Sequence, residues 1–147
     1  MTKPDDAAST FKQGFNCSQA VFCAFADECG IDRTLGLRVA GAFGGGMART
    51  GETCGAVTGA LMVIGMKYGK VRVEDDQAKL KTYEVARRFM ERFTDRHGHL
   101  KCRDLLGYDL STPEGRRAVA ERRLHETLCV KLVQDAAGIL EQVLEQP

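Results

Sequence analysis

Residues 54–66 read Cys54-Gly55-Ala56-Val57-Thr58-Gly59-Ala60-Leu61-Met62-Val63-Ile64-Gly65-Met66, the longest apolar stretch of the chain without a charge. It falls short of the roughly 18 residues that suggest a membrane span, and glycine interrupts it three times, so it reads as a buried core helix. Gly55 and Gly59 lie four residues apart, hence on one face, where a neighbouring helix can approach the backbone closely. Without such a contact each glycine would cost about 1 kcal/mol against alanine. Charge places the same helix centrally. From Gln13 to Met66 the only charged residues are Asp27, Glu28, Asp32, Arg33, Arg38, Arg49 and Glu52, while the rest of the chain is densely charged, so the first half reads as the interior.

Outward from this segment nearly every stretch has helical rather than alternating period, and long Val/Ile/Thr runs bounded by turns are missing. The expectation is an all-α fold, one domain over residues 1–147, a multi-helix bundle around a central glycine-rich apolar helix. Ala7 to Lys12 reads as a first helix broken at Gly14. Asn16 caps a second, with Gln19 in capping-box spacing and Gly30 as the stop. Asp32 caps a third through about Ala42, and Gly41 to Gly51 forms a loop before a helix that begins near Thr53. Asp75 or Asp76 starts a long amphipathic helix carrying Ala86, Phe89, Met90 and Phe93 and ending near His97-Gly98. A short helix covers Cys102 to Leu106, stopped by Gly107, and Thr112-Pro113-Glu114 starts the next. In the last helix, Leu132, Val133, Ala136, Ala137, Leu140, Val143 and Leu144 form an apolar stripe that must dock.

The 147 residues include 21 Lys plus Arg against 20 Asp plus Glu, a formal charge of +1, with 44% hydrophobic types. This balance argues against a nucleic-acid binder and against a disordered chain. Met1 to Asp6 has neither an apolar core nor a small-residue cleavage site, so the expected location is cytoplasmic, with no membrane span. A chain of this size needs no staple to fold, and in a reducing compartment its 6 cysteines are better suited to metal ligation or redox chemistry than to permanent disulfides.

The thiols fall at 17, 23, 29, 54, 102 and 129, and no two form a C-x-x-C pair, which excludes zinc-ribbon, thioredoxin and c-type haem signatures. Cys17, Cys54, Cys102 and Cys129 each lie at or near a helix start, where unpaired N–H groups and the helix dipole favour a thiolate. The residues three and four further on are apolar or small in each case, so all four sulfurs face inward. Convergence on one site would suit a tetrathiolate iron–sulfur cluster, another metal, or a pair of redox-active dithiols. Cys102 is the weakest of the four, since Lys101 is no capping residue. Cys23, in mid-helix, and Cys29, beside Gly30, read as core-filling residues.

Cys54-Gly55-Ala56-Val57-Thr58-Gly59, together with Asn16-Cys17-Ser18-Gln19-Ala20-Val21, Cys102 before Leu105-Leu106-Gly107, and Cys129, resembles the redox-active family C_GCAxxG_C_C over nearly the whole chain. The family's four cysteines map onto Cys17, Cys54, Cys102 and Cys129, and its two glycines onto Gly55 and Gly59, which the resemblance makes cofactor-site residues. It implies redox activity at the four-cysteine site and favours an iron–sulfur cluster or other metal over a purely structural role. A similar domain is joined to haem-binding sequence in split-Soret cytochromes, alongside a non-haem iron centre. Without C-x-x-C-H, this chain is expected to hold no c-type haem. Electron transfer or redox sensing with an unidentified redox partner is the leading function, with thiol–disulfide exchange by the same cysteines and a structural zinc module as alternatives.

Other groups are weaker candidates. His97, His99 and Cys102 have zinc-ligand chemistry, but a solvated helix end accounts for the histidines. His125 can stabilise a Cys129 thiolate one turn away, unless Thr127 caps a new helix between them. Gly44-Gly45-Gly46 followed by Arg49 resembles an anion cradle without the strand, Lys and Ser/Thr of a P-loop. Its N–H groups are better placed to tune sulfur near Cys54. Arg87-Arg88, Arg116-Arg117 and Arg122-Arg123 read as solvated faces. The glycine-rich and strongly amphipathic helices are suited to a homodimer.

Overall fold

In the computed structural model, which describes residues 1–146, helix α5 (Gly55–Tyr68) is pressed backbone to backbone against α2 (Cys17–Ala24). A Cβ at Gly55 would stand 2.8 Å from the Ser18 nitrogen, and one at Gly59 would stand 2.7 Å from the Ser18 carbonyl oxygen. Only glycine allows this approach, so the sequence spacing becomes a helix-helix contact. The apolar faces of α6 (Asp76–His97) and α9 (Val130–Glu145) close the core around α5, and α1 (Lys3–Lys12) packs on α2 and α9. Val57, Val63 and Ile64 of α5 are fully buried against Val85, Phe89 and Phe93 of α6 and Val133, Ala136 and Leu140 of α9.

The fold is all-α, as the sequence pattern implies, and the described residues contain no strand, only an isolated antiparallel bridge between Thr53 and Lys101. No helix is long and apolar enough to cross a membrane among the described residues. Local capping explains most boundaries. Asn16 Oδ1 accepts from the Gln19 N–H at 2.9 Å and Gln19 Oε1 from the Asn16 N–H at 2.9 Å, completing the capping box. Asp75 rather than Asp76 caps α6, accepting from the Ala78 N–H, and Gly98 ends it in the left-handed conformation. Helices α7 (Cys102–Leu106) and α8 (Pro113–Glu121) begin and end near the residues their signals mark.

Several boundaries, and the placing of the interior, need correction. Helix α1 begins at Lys3, not Ala7, because Thr2 accepts from the Asp5 N–H and Pro4 preorganises the first turn. Helix α2 ends at Ala24, and turns carry the chain on to Gly30. Helix α3 (Arg33–Val39) stops short of Ala42, a 3₁₀ turn following over Gly41–Phe43. The first half is not uniformly interior either. Gly36 is the only buried residue of α3, while α6 and α9, from the charged half, supply much of the core.

The segment expected to be a glycine loop is instead a compact turn of the opposite hand. It includes α4 (Gly44–Met47), and Gly45, Gly46, Met47, Ala48 and Arg49 all have positive φ, at 64°, 68°, 66°, 55° and 65°. Left-handed helix costs roughly 1–2 kcal/mol per non-glycine residue, and here three such residues are held by Arg49 N–H to Gly44 O and Glu52 N–H to Gly46 O hydrogen bonds of 3.1 and 2.9 Å.

The two kinds of glycine in α5 respond oppositely to a methyl group. Gly59→Ala forces α2 outward and should lower unfolding stability by about 1–3 kcal/mol despite its better helix propensity. Gly65 has nothing within 4 Å of its Cβ direction, and Gly65→Ala should raise stability by up to about 1 kcal/mol. Urea denaturation of the two variants checks both signs.

Candidate functional site

The backbone contact between α2 and α5 places Cys17, the first residue of α2, beside Cys54, the N-cap of α5, since the Gly55 Cβ direction also meets Cys17 Cβ at 3.0 Å. The Thr53–Lys101 bridge brings up the third cysteine. Cys54 N–H donates to Leu100 O at 2.8 Å and Cys102 N–H to Glu52 O at 2.7 Å, so each cysteine follows a bridging residue directly. Arg103 fastens the crossing from outside through a 2.6 Å contact to Glu52. Gly46 is the spacer that lets the left-handed turn pass, because a Cβ there would lie 2.7 Å from Cys102 Cβ and 2.6 Å from Glu52 O.

The fourth cysteine arrives on a π turn, His125–Cys129, that runs directly into α9. Thr127 does not cap a helix. Its hydroxyl donates to Arg123 O at 3.0 Å, and the turn continues through it. His125 therefore interacts with Cys129, one wide turn away. Such π turns occur often at functional sites.

Cys17, Cys54, Cys102 and Cys129 all line one cavity of about 1010 Å³, together with Gly55 and His125. All six cysteines are free thiols. Cys23 and Cys29 are elsewhere, Cys23 buried against the Gly36 backbone and Cys29 half-buried at the edge of the core, which is where core-filling residues belong. Gly59 lies in the α2 contact and does not line the cavity.

Helix starts alone do not decide which thiols ionise. Cys17 shares its proton with Cys129 and then Cys54, and together with burial this holds it well above the ordinary thiol range. Cys129 is correspondingly brought down to about 6, first by Cys17 and then by His125, against the cost of burial. Cys54 is lowered by Cys17 and by the N–H groups of Ala56 and Val57 at the α5 start. Cys102, at a helix start without a side-chain cap, is pushed up to about 12 by burial, with Cys54 and Cys129 adding to it. The helix-start expectation thus holds at Cys54 and fails at Cys17 and Cys102, because closely packed thiols in a dry site cannot all be charged. His125 is raised by its interaction with Cys129, so the pair favours imidazolium beside thiolate.

Neither His97 nor His99 lines the cavity that Cys102 lines. His97 Nε2 lies 3.0 Å from Asp135 Oδ2 on α9 and the ring packs on Phe93. Among the described residues, no three His, Cys, Asp or Glu side chains stand close enough to hold a single metal ion in this arrangement. Arg116, expected on a solvated face, instead lines the cavity half-buried, with Nη1 donating to Leu110 O at 2.9 Å. Its i+3 relation to the buried Val119 was the available signal.

In the reduced, metal-free chain, alkylation of Cys129 by iodoacetamide should follow a thiolate titration centred near pH 6, well under the ordinary cysteine value of about 8.5. His125→Asn should move that midpoint upward. Peptide mass spectrometry of the modified site reads the result, and a midpoint at the ordinary value in the unaltered chain would remove the ion pair.

No curated protein and no solved structure matches the chain. A family match covers residues 15–143, for the family described as "Putative redox-active protein (C_GCAxxG_C_C)". Four separate segments deliver four cysteines to one cavity, and the chain belongs to the C_GCAxxG_C_C family.

Proposed function

We propose that Cys17, Cys54, Cys102 and Cys129 ligate an iron–sulfur cluster, or another redox-relevant metal, for electron transfer or redox sensing. The observation that carries this reading is that four sulfurs from four different helix starts or turns open onto one cavity. A dithiol reaction uses two of them, and a core-filling role uses none. The donor chemistry suits the group, since clusters take four thiolates spread over several irons and the cavity has room between its walls. When bound, the cluster supplies one-electron chemistry and the positive charge that draws the protons from Cys17 and Cys102. The chain fixes the ligands through the Asn16–Gln19 box and the Thr53–Lys101 bridge. The buried walls around Cys54, Cys102 and Cys129 exclude water, the condition that tunes a potential.

One observation favours thiol–disulfide exchange as a second reading, namely the Cys129 thiolate beside the protonated Cys17. Cys129 sulfur would attack a partner's disulfide and release one partner thiolate. Cys17, losing its proton, would then attack the mixed disulfide and release the second, leaving Cys17–Cys129 oxidised and the partner reduced.

Anaerobic purification followed by a visible spectrum and iron, zinc and acid-labile sulfide assays separates the readings. The expected result is iron with sulfide and visible absorption, lost on Cys17→Ser, Cys54→Ser, Cys102→Ser or Cys129→Ser and kept in Cys29→Ser. No metal, with Cys17 and Cys129 disappearing as a pair on oxidation, would establish the exchange reading instead.

A further inference from the structure

The cavity has a second character that the cysteines do not use. At about 1010 Å³ it is at the upper end of the roughly 300–1,000 Å³ typical of small-molecule sites. Its sulfurs lie on buried walls, Cys54, Cys102 and Cys129 being 3%, 8% and 5% exposed. Lys12 and Arg49 also line it, but as exposed residues, so they stand at its solvent end, with the half-buried Arg116 further in. None of the three is in an ion pair with an acid among the described residues. Some cations elsewhere are paired, Lys3 and Lys67 with Glu28, Arg88 with Glu84 and Arg103 with Glu52, and others are not, so what sets these three apart is that they line one cavity together. The acid lining the cavity, Glu126, is taken by Arg123 at 2.8 Å.

Arg49 is also where the chain is strained. It ends the left-handed run, a Cβ on Gly45 would meet its Cγ at 2.9 Å, and it lines the cavity. Backbone in sparsely populated conformations persists where the surroundings enforce it and is concentrated at functional sites. Arg116 is preorganised differently, one nitrogen tied to Leu110 O and the rest of the guanidinium left without an acid. The same cavity is also lined by the apolar Phe11, Phe15, Leu106 and Leu110.

We propose that this cavity binds an organic anion with an apolar body, its carboxylate or phosphate group held by Lys12, Arg49 and Arg116 and its body lying against the phenylalanine side, next to the cysteines. The inference rests on the four-cysteine cavity being the functional site, and it is independent of what the cysteines hold. A carboxylate or a phosphate ester offers the same planar or tetrahedral oxygens to a guanidinium fork. The neutral analogue of either brings no charge for the arginines to pair with.

Isothermal titration calorimetry of the full chain with phenylacetate, phenyl phosphate and the neutral 2-phenylethanol tests it. One or both anions should bind saturably, at least about ten-fold tighter than the alcohol, with affinity falling as salt is raised. Arg49→Gln and Arg116→Gln should each weaken the anion about ten-fold and leave the alcohol unchanged. Equal binding of anion and alcohol, or no saturable anion binding through the millimolar range, overturns the proposal. The comparison within the unaltered chain holds even if a variant is poorly folded. Iron and sulfide measured on the same sample keep the failures apart. Anion binding without iron removes the cluster reading alone, and iron without anion binding removes this inference alone.

Discussion

Everything at the site follows from two glycines that let two helices touch at the backbone. With side chains at positions 55 and 59, α5 would stand off from α2 by the width of a methyl group or more, and the Ser18 backbone could not sit where it does. That contact fixes Cys17 against Cys54 before any chemistry is considered. The remaining two cysteines are then brought to the same place by a two-residue bridge and by a π turn, neither of which costs much buried area. The core proper, built from α5, α6 and α9, is the rigid wall behind them.

Placing thiols together has an electrostatic consequence that helix geometry alone does not convey. One dry pocket tolerates one or two negative sulfurs when a histidine and helix N–H groups offset them, and the neighbouring thiols then keep their protons. Cys129 takes the charged role and Cys54 is drawn in the same direction, while Cys17 and Cys102 are held toward the protonated form. The four cysteines are therefore not equivalent, although their positions in the sequence look alike. Any positively charged group entering between them would level the difference.

Most of the helical frame was legible because capping chemistry is local. Asn16 with Gln19, Asp32, Thr112-Pro113 and the stop at Gly107 needed no knowledge of distant residues. The Gly55/Gly59 spacing announced a close contact, and the four cysteines announced a shared site. What escaped was non-local or conformationally unusual. Nothing near Thr53 or Lys101 marks a bridge between them, and a Gly-Gly-Gly-Met-Ala-Arg run reads as a loose loop until its hydrogen bonds are seen to wind it left-handed. Arg116 reads as solvated because the arginine pairs alternate with acids along the sequence. The side of α8 it occupies is settled by packing against Leu110, not by local charge.

The π turn at His125–Cys129 is in effect an α-helix carrying one residue too many. Removing a residue there would restore ordinary helical hydrogen bonding, yet it would rotate everything before the turn by about 100° relative to α9. Either His125 or the docked stripe of α9 would then face the wrong way. Length in this short stretch is consequently under tighter constraint than composition. Changes of residue type at the exposed Glu126 and Thr127 leave the phase intact, whereas a single insertion or deletion changes the helical phase on which the site depends.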